Sequence, residues 1–260
     1  MAPSLINSLC STPEGLISII GAGGKTSLMF CLAKELSRDG GTVLTTTTTK
    51  IFFPDKALSP ETVTASSAQD LMEKSRDGLK RHPHFSAGRH HDLSSGKLEG
   101  FSPDIIDALW RAGLFDWVVV EADGSRQKPL KATDVHEPVI PASTTCLVLV
   151  AGLDSLGLPL DEAHVHRASI FSKNTGLGLG QIVTEAAMAI SIALELQKAA
   201  GFCTALDQVL VLNKADTPGR IESGICIAGL LKANPGLTRV LITSLRDGPC
   251  IKKTILPNHP

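Results

Sequence analysis

One stretch limits this chain more than any other: LISIIGAGGKTSL, residues 16–28. Leu16–Ile20 is an apolar run of the length of a buried strand, and Lys25 opens a run with helical spacing of Leu28, Phe30, Leu32 and Leu36. Between them lie Gly21, Ala22, Gly23, Gly24, Lys25 and Thr26. Glycines let backbone fold closely around oxygen atoms, and a helix start offers unpaired N–H groups and a positive dipole end. The pattern predicts a phosphate cradle, with Lys25 at the β- and γ-phosphates, Thr26 toward Mg²⁺ and Ser27 in the same turn. The loop is shorter than the usual one, because Ile19 stands where the first glycine of Gly-x-x-x-x-Gly-Lys-Thr would be. The competing reading is a glycine turn with a solvated lysine.

A phosphate cradle needs a carboxylate on a nearby strand to hold Mg²⁺. The segment FDWVVVEADG supplies Glu121 and Asp123 at the end of an apolar run; two positions apart, they face one side of an extended chain. Either could serve the metal. A third segment, QVLVLNKADTP, ends a buried strand in Asn213-Lys214-Ala215-Asp216. Asn-Lys-x-Asp at that place reads guanine in GTPases, because a carboxylate accepts from both the ring N1–H and the exocyclic amine. Asn213 is expected to share that reading, Lys214 to pack over the base, and the following Thr243-Ser244-Leu245 to bring a backbone N–H to it. A plain turn capped by Asp216 is the bland alternative. The run TTTTTK, residues 45–50, reads as a switch whose hydroxyls, Thr47 among them, reach Mg²⁺ or the γ-phosphate, or else as a β-rich edge with solvated threonines.

Strand signals at 16–20, 42–46, 117–121, 146–150, 209–212 and 239–242 alternate with helical ones at 25–38, 67–81, 102–113, 184–200 and 221–231. That order predicts a three-layer α/β fold with a parallel sheet, of the P-loop NTPase kind. A single domain over 1–260 is expected, with lid segments at 55–100 and 122–145. His82, His84, His90 and His91 fall in the polar stretch and read as a solvated loop rather than a metal site. The six scattered cysteines form no zinc or disulfide pattern. With 25 basic and 26 acidic residues and no tyrosine, nucleic acid and anionic membranes are not expected as partners. No apolar run nears the roughly 18 residues of a membrane span, and no signal peptide is evident, so the expectation is a soluble cytoplasmic protein.

One loop does not fit a generic GTPase. EADGSRQKPLKATDVHEPVIP, residues 121–141, places Arg126, Lys128, Lys131, His136 and Glu137 beside the expected γ-phosphate, and EAHVHRASIF adds His164, His166 and Arg167. Such cations could stabilise phosphoryl-transfer charge or bind an anionic second substrate, or simply form a solvated lid. Together with GAGGKTSLM, TTTTTKIFFP, GKLEG, VAGLDSLGLPL and VLNKAD, this loop resembles the YqeC family of selenium-dependent hydroxylase accessory proteins over residues 15–245. The resemblance implies a role in maturing selenium-dependent molybdenum hydroxylases, with such a hydroxylase or its cofactor-handling proteins as partners. Arg126-Gln127 stands where that family commonly has a basic residue and glycine. The expected function is a Mg-GTP-binding switch with slow intrinsic hydrolysis. The alternative is an ATP-dependent small-molecule kinase or ligase, for a short phosphate loop of this form also occurs in ligases of the peptidoglycan-precursor type. Lys25, Glu121, Asp123, Arg126, Lys131 and His136 are the expected catalytic groups.

Overall fold

The computed structural model describes residues 4–246 and 250–257. In chain order its elements are α1 Leu5–Leu9, β1 Gly15–Gly21, α2 Lys25–Arg38, β2 Val43–Thr47, β3 Lys50–Phe52, β4 Thr62–Thr64, α3 Ala68–Leu79, β5 His84–Gly88, β6 His90–Asp92, β7 Lys97–Glu99, α4 Pro103–Arg111 and β8 Trp117–Glu121. The rest are β9 Leu130–Lys131, β10 Cys146–Gly152, β11 Val165–His166, α5 Ala168–Thr175, α6 Glu185–Ala200, β12 Asp207–Asn213, α7 Pro218–Leu230, β13 Leu237–Ser244 and β14 Cys250–Ile255. Nine strands form the main sheet in the order β14-β13-β12-β10-β1-β8-β2-β5-β4, all parallel except the antiparallel edge strand β14.

The strands follow from the apolar runs. WVVVE and CLVLVAG are buried along their whole length, as strands covered on both faces must be. Alternation divides them between two layers. Leu16, Ile20, Val118 and Val120 share one core with α3, α4, α5, α6 and α7, whereas Ile17, Ile19 and Val119 share the other with α1 and α2. Burying each such side chain stabilises the fold by about 1.5–3 kcal/mol. The helices start where the sequence supplies caps. Ser67 and Thr184 accept from the amides of Asp70 and Ala187, and Pro103 occupies the first turn after Ser102. Among the described residues no helix is long and apolar enough to cross a membrane.

The six expected strands and five expected helices are all present, and the structure adds pieces the pattern did not show. The stretch 55–100 contributes β4 and β5 to the main sheet, while β6 and β7 join β3 in a separate antiparallel sheet of order β3-β7-β6. The histidine segment is therefore not a solvated loop. His84 is buried in β5, where Thr45 Oγ1 lies 3.2 Å from its Nε2, and His91 stacks on Phe53 with ring centroids 3.9 Å apart. Burial lowers the pKa of His84 to about 4. Among the described residues no three or more His, Cys, Asp or Glu side chains gather as a metal-binding cluster.

Candidate functional site

The site forms where β1 ends and α2 begins. Gly21, Gly23 and Gly24 have φ of 93°, 87° and 131°. A Cβ at Gly23 would strike the backbone of Gly152 and Pro129, and one at Gly24 would collide with the Asn213 amide. Only glycine fits such a turn. Among the described residues no protein group accepts from the N–H groups of Gly23 to Ser27; the first amide past them to bond is Leu28, at 2.9 Å from Gly24 O. Five free donors at the start of a 14-residue helix form an anion cradle.

A network of six ionic groups closes beneath it. Lys25 is 3% exposed; its Nζ donates to Gly21 O at 2.7 Å and lies 3.1 Å from Asp123 Oδ1 and 3.6 Å from Glu121 Oε1. Burial works against its charge, but the two carboxylates outweigh it and its pKa is raised. Asp123 is fully buried: its Oδ2 accepts from Gly21 N at 2.8 Å and from Lys131 Nζ at 2.9 Å. Lys131 also reaches Glu137 Oε2 at 2.9 Å, and Arg167 Nη1 holds that same oxygen at 2.7 Å. Burial would raise Glu137, yet Arg167 and Lys131 hold it down at about 2. His166, beside these cations, is lowered to about 4 by burial and by Arg167, Lys131 and Arg126.

The expected carboxylate pair separates into two positions. Glu121 lines the open cleft above the loop and its Oε2 accepts from Thr26 Oγ1 at 2.7 Å, whereas Asp123 lies below, outside the cleft lining. Burial raises the pKa of Glu121 against the pull of Lys25. A hydroxyl beside a carboxylate, both at the cleft wall, is an oxygen donor set suited to Mg²⁺ with its remaining waters. Thr47 does not join them. It is buried, its hydroxyl donates to Glu121 O at 2.7 Å and accepts from Thr49 N at 3.0 Å, and the cleft wall is instead made by Thr48 and Thr49.

The other corner of the site sits at the ends of β12 and β13. Asn213 is directed inward rather than to a base: its Nδ2 donates to Gly23 O at 2.8 Å and its Oδ1 accepts from Thr243 at 3.2 Å. Lys214 Nζ binds Asp154 Oδ2 at 2.7 Å at one end of the cleft. Asp216 is exposed, oriented by Ser244 Oγ at 2.6 Å and by Arg220 at 3.7 Å. Sequence reasoning passed over Asp154, although its place just beyond the carboxyl end of β10 is where such sheets keep their ligands. Arg126 lines the cleft, but His136 is exposed and outside its lining.

Backbone strain collects in the same place. Among the described residues four non-glycine residues have positive φ: Arg126 (49°), Gln127 (61°), Arg167 (62°) and Lys214 (63°). Three line the cleft, and Arg167 holds Glu137, which lines it too. Left-handed side-chain-bearing residues persist only where surroundings impose them, and they cluster at functional sites. The cleft encloses about 720 Å³.

A parallel α/β sheet with a glycine cradle at the central strand, a buried lysine and an acidic neighbouring strand defines a P-loop-like protein of nucleoside-triphosphatase form. The chain belongs to the YqeC family: that family's sequence model, described as YqeC protein, matches residues 17–169. It is 39% identical over 172 residues to the Escherichia coli (strain K12) protein described as "Uncharacterized protein YqeC", a match covering 62% of this chain and 61% of that protein. The chain thus matches about three fifths of the length of that curated relative. The crystal structure of FtsY from Mycoplasma mycoides superposes with a TM-score of 0.44 at 11% identity, over 98% of this chain and 68% of that one, a likeness too distant to bear on function.

Proposed function

We propose that the chain binds a Mg-nucleotide, GTP in preference to ATP, and acts as a nucleotide-dependent accessory factor in maturing selenium-dependent molybdenum hydroxylases in the cytoplasm. The observation that carries the nucleotide reading is the Asn213–Gly23 hydrogen bond of 2.8 Å. It fixes the Asn-Lys-x-Asp turn to the glycine cradle, as one ligand spanning both would require. Thr26 and Glu121 would hold Mg²⁺, which when bound neutralises charge on phosphate oxygens. The free amides of Gly23 to Ser27 bind the phosphates, Lys25 supplies the buried cation, and Asp123 positions Lys25 and Gly21 from below. Asp216, held by Ser244, is the carboxylate left to read guanine. The accessory role, and a hydroxylase or its cofactor-handling proteins as partners, rest on the family resemblance.

Hydrolysis by the chain alone is expected to be slow, with turnover awaiting a partner that completes the site. Arg126 and Lys128 at the cleft wall favour a second reading, an ATP-dependent kinase or ligase acting on a small molecule. Binding of labelled GTP and ATP with Mg²⁺ to wild type and Asp216→Ala separates them. The expected outcome is GTP preference that the substitution abolishes with ATP affinity unchanged. ATP bound as tightly as GTP by the wild type would sink the guanine reading and favour the second.

A further inference from the structure

The small sheet β3-β7-β6 stands over the cleft on the side away from Asp216, and its alternation is informative. Ile51 and Leu98 are buried, Ile51 at the floor of the cleft, while Lys50, Phe52, Lys97 and Glu99 are more open and line the cleft with Arg89. Pairing sets Phe52 opposite Lys97, whose Nζ lies 5.5 Å from the ring centroid. Phe52 is 55% exposed, an unusual place for a large apolar ring. Glu99 pairs with Arg89 at 2.7 Å and Lys50 at 3.7 Å, but among the described residues Lys97 has no acidic partner. Positive charge therefore remains uncompensated beside an open aromatic face.

The sheet order shows what this surface can reach. Asp216 follows β12, and the small sheet follows β2; β10, β1 and β8 lie between those two strands. Four strand spacings are about 19 Å. A nucleotide with its phosphates at β1 and its base at β12 lies on one half of the cleft and cannot also touch Phe52. We infer that Lys50, Phe52, Arg89 and Lys97 form a subsite for a second small molecule, one carrying a phosphate or carboxylate and a flat unsaturated face. The inference rests on the phosphate-loop reading above, and it places this molecule on the side of Glu121 and Arg126, where the terminal phosphate would lie. Arg126, in its imposed left-handed conformation, completes the cationic wall from the opposite loop.

The test is a fluorescence titration with 1-naphthyl phosphate and 1-naphthoate, on protein first saturated with Mg²⁺ and a non-hydrolysable GTP analogue. One or both probes are expected to bind alongside the nucleotide, and whichever is tighter identifies the anionic group. Phe52→Ala, at an exposed position, and Lys97→Ala, at a half-buried one, should each weaken the probe about tenfold and leave nucleotide binding unchanged. Nucleotide that binds while displacing the probe overturns the inference alone. So does probe binding indifferent to both substitutions, or 2-naphthol binding as tightly as the anions. Nucleotide that fails to bind strikes the phosphate-loop reading itself and takes the second-molecule role with it.

Discussion

The two sides of the candidate site are built on different principles. At its base, Asp123 is 0% exposed and joins Gly21, Lys25 and Lys131, with Glu137 one contact further out and Arg167 beyond it. At the β12–β13 corner, Asp216 is exposed and, among the described residues, held by Ser244 and Arg220. A buried ionic group that loses a partner leaves an uncompensated charge, whereas an exposed one is resolvated by water. The first arrangement fixes shape; the second leaves a carboxylate free to meet a ligand.

The sharpest break of that contrast is Asp123→Ala. It leaves Lys25 and Lys131 buried without their shared carboxylate, and a loss of about 3–5 kcal/mol in denaturant unfolding is expected. Asp216→Ala should stay within about 0.5 kcal/mol of wild type. Equal losses for the two would erase the distinction. Next in size is the response to acid. His84 and His166 have folded pKa values of about 4, below the ordinary 6.5, so the unfolded chain takes up protons first. Stability is therefore full above pH 6.5, falls as pH drops toward 4, and loses nothing more from these groups below that. Buried His84 alone accounts for on the order of 3 kcal/mol. Glu137, folded at about 2 against 4.5, adds a loss between pH 4.5 and 2. Unfolding measured from pH 8 to 2 should show both windows, and His84→Asn should remove most of the upper one. A flat profile between pH 6.5 and 4 would contradict the burial of these rings.

Asn213 belongs to neither side and joins them. Asn213→Ala leaves Gly23 O and Thr243 Oγ1 without their partner, at a cost of about 1–3 kcal/mol. Because its amide holds the cradle rather than a base, GTP and ATP affinity should fall together. A change in their ratio instead would make Asn213 a base reader and move it to the Asp216 corner.

The central strands were legible because parallel, doubly covered strands read as unbroken apolar runs, and the helices because Ser67, Ser102 and Thr184 mark their starts. β5 was not legible, since HFSAG carries two polar residues that satisfy each other only across the sheet: Ser86 Oγ and His84 Nε2 both meet Thr45 Oγ1. The three short strands of the small sheet fell below any periodic signal, and with them went Phe52 and Lys97. At the site, Gly23, Lys25, Thr26 and Glu121 follow from spacing, but spacing cannot say that Asp123 turns inward, that Lys214 pairs with Asp154, or that His136 stands outside. Those are tertiary facts, decided by which strand ends lie side by side.

The smallest expected effect concerns the loop where sequence and family pattern part. Gln127 has φ of 61° in the loop whose family form commonly carries glycine at this point. A side chain there costs about 1–2 kcal/mol that glycine does not incur, while glycine loses more backbone entropy on folding, by about 0.5–1 kcal/mol. Gln127→Gly should therefore stabilise by a few tenths to about 1 kcal/mol, read as a small rise in melting temperature. Nucleotide affinity should hold, since the glycine adopts the same backbone without strain. A fall in stability would mean that the left-handed turn is held by the Gln127 side chain itself. A rise in stability with a loss of nucleotide affinity would mean that the strained loop is part of the binding surface, and the 126–127 turn would then belong with Asp216 among the groups kept free for a ligand.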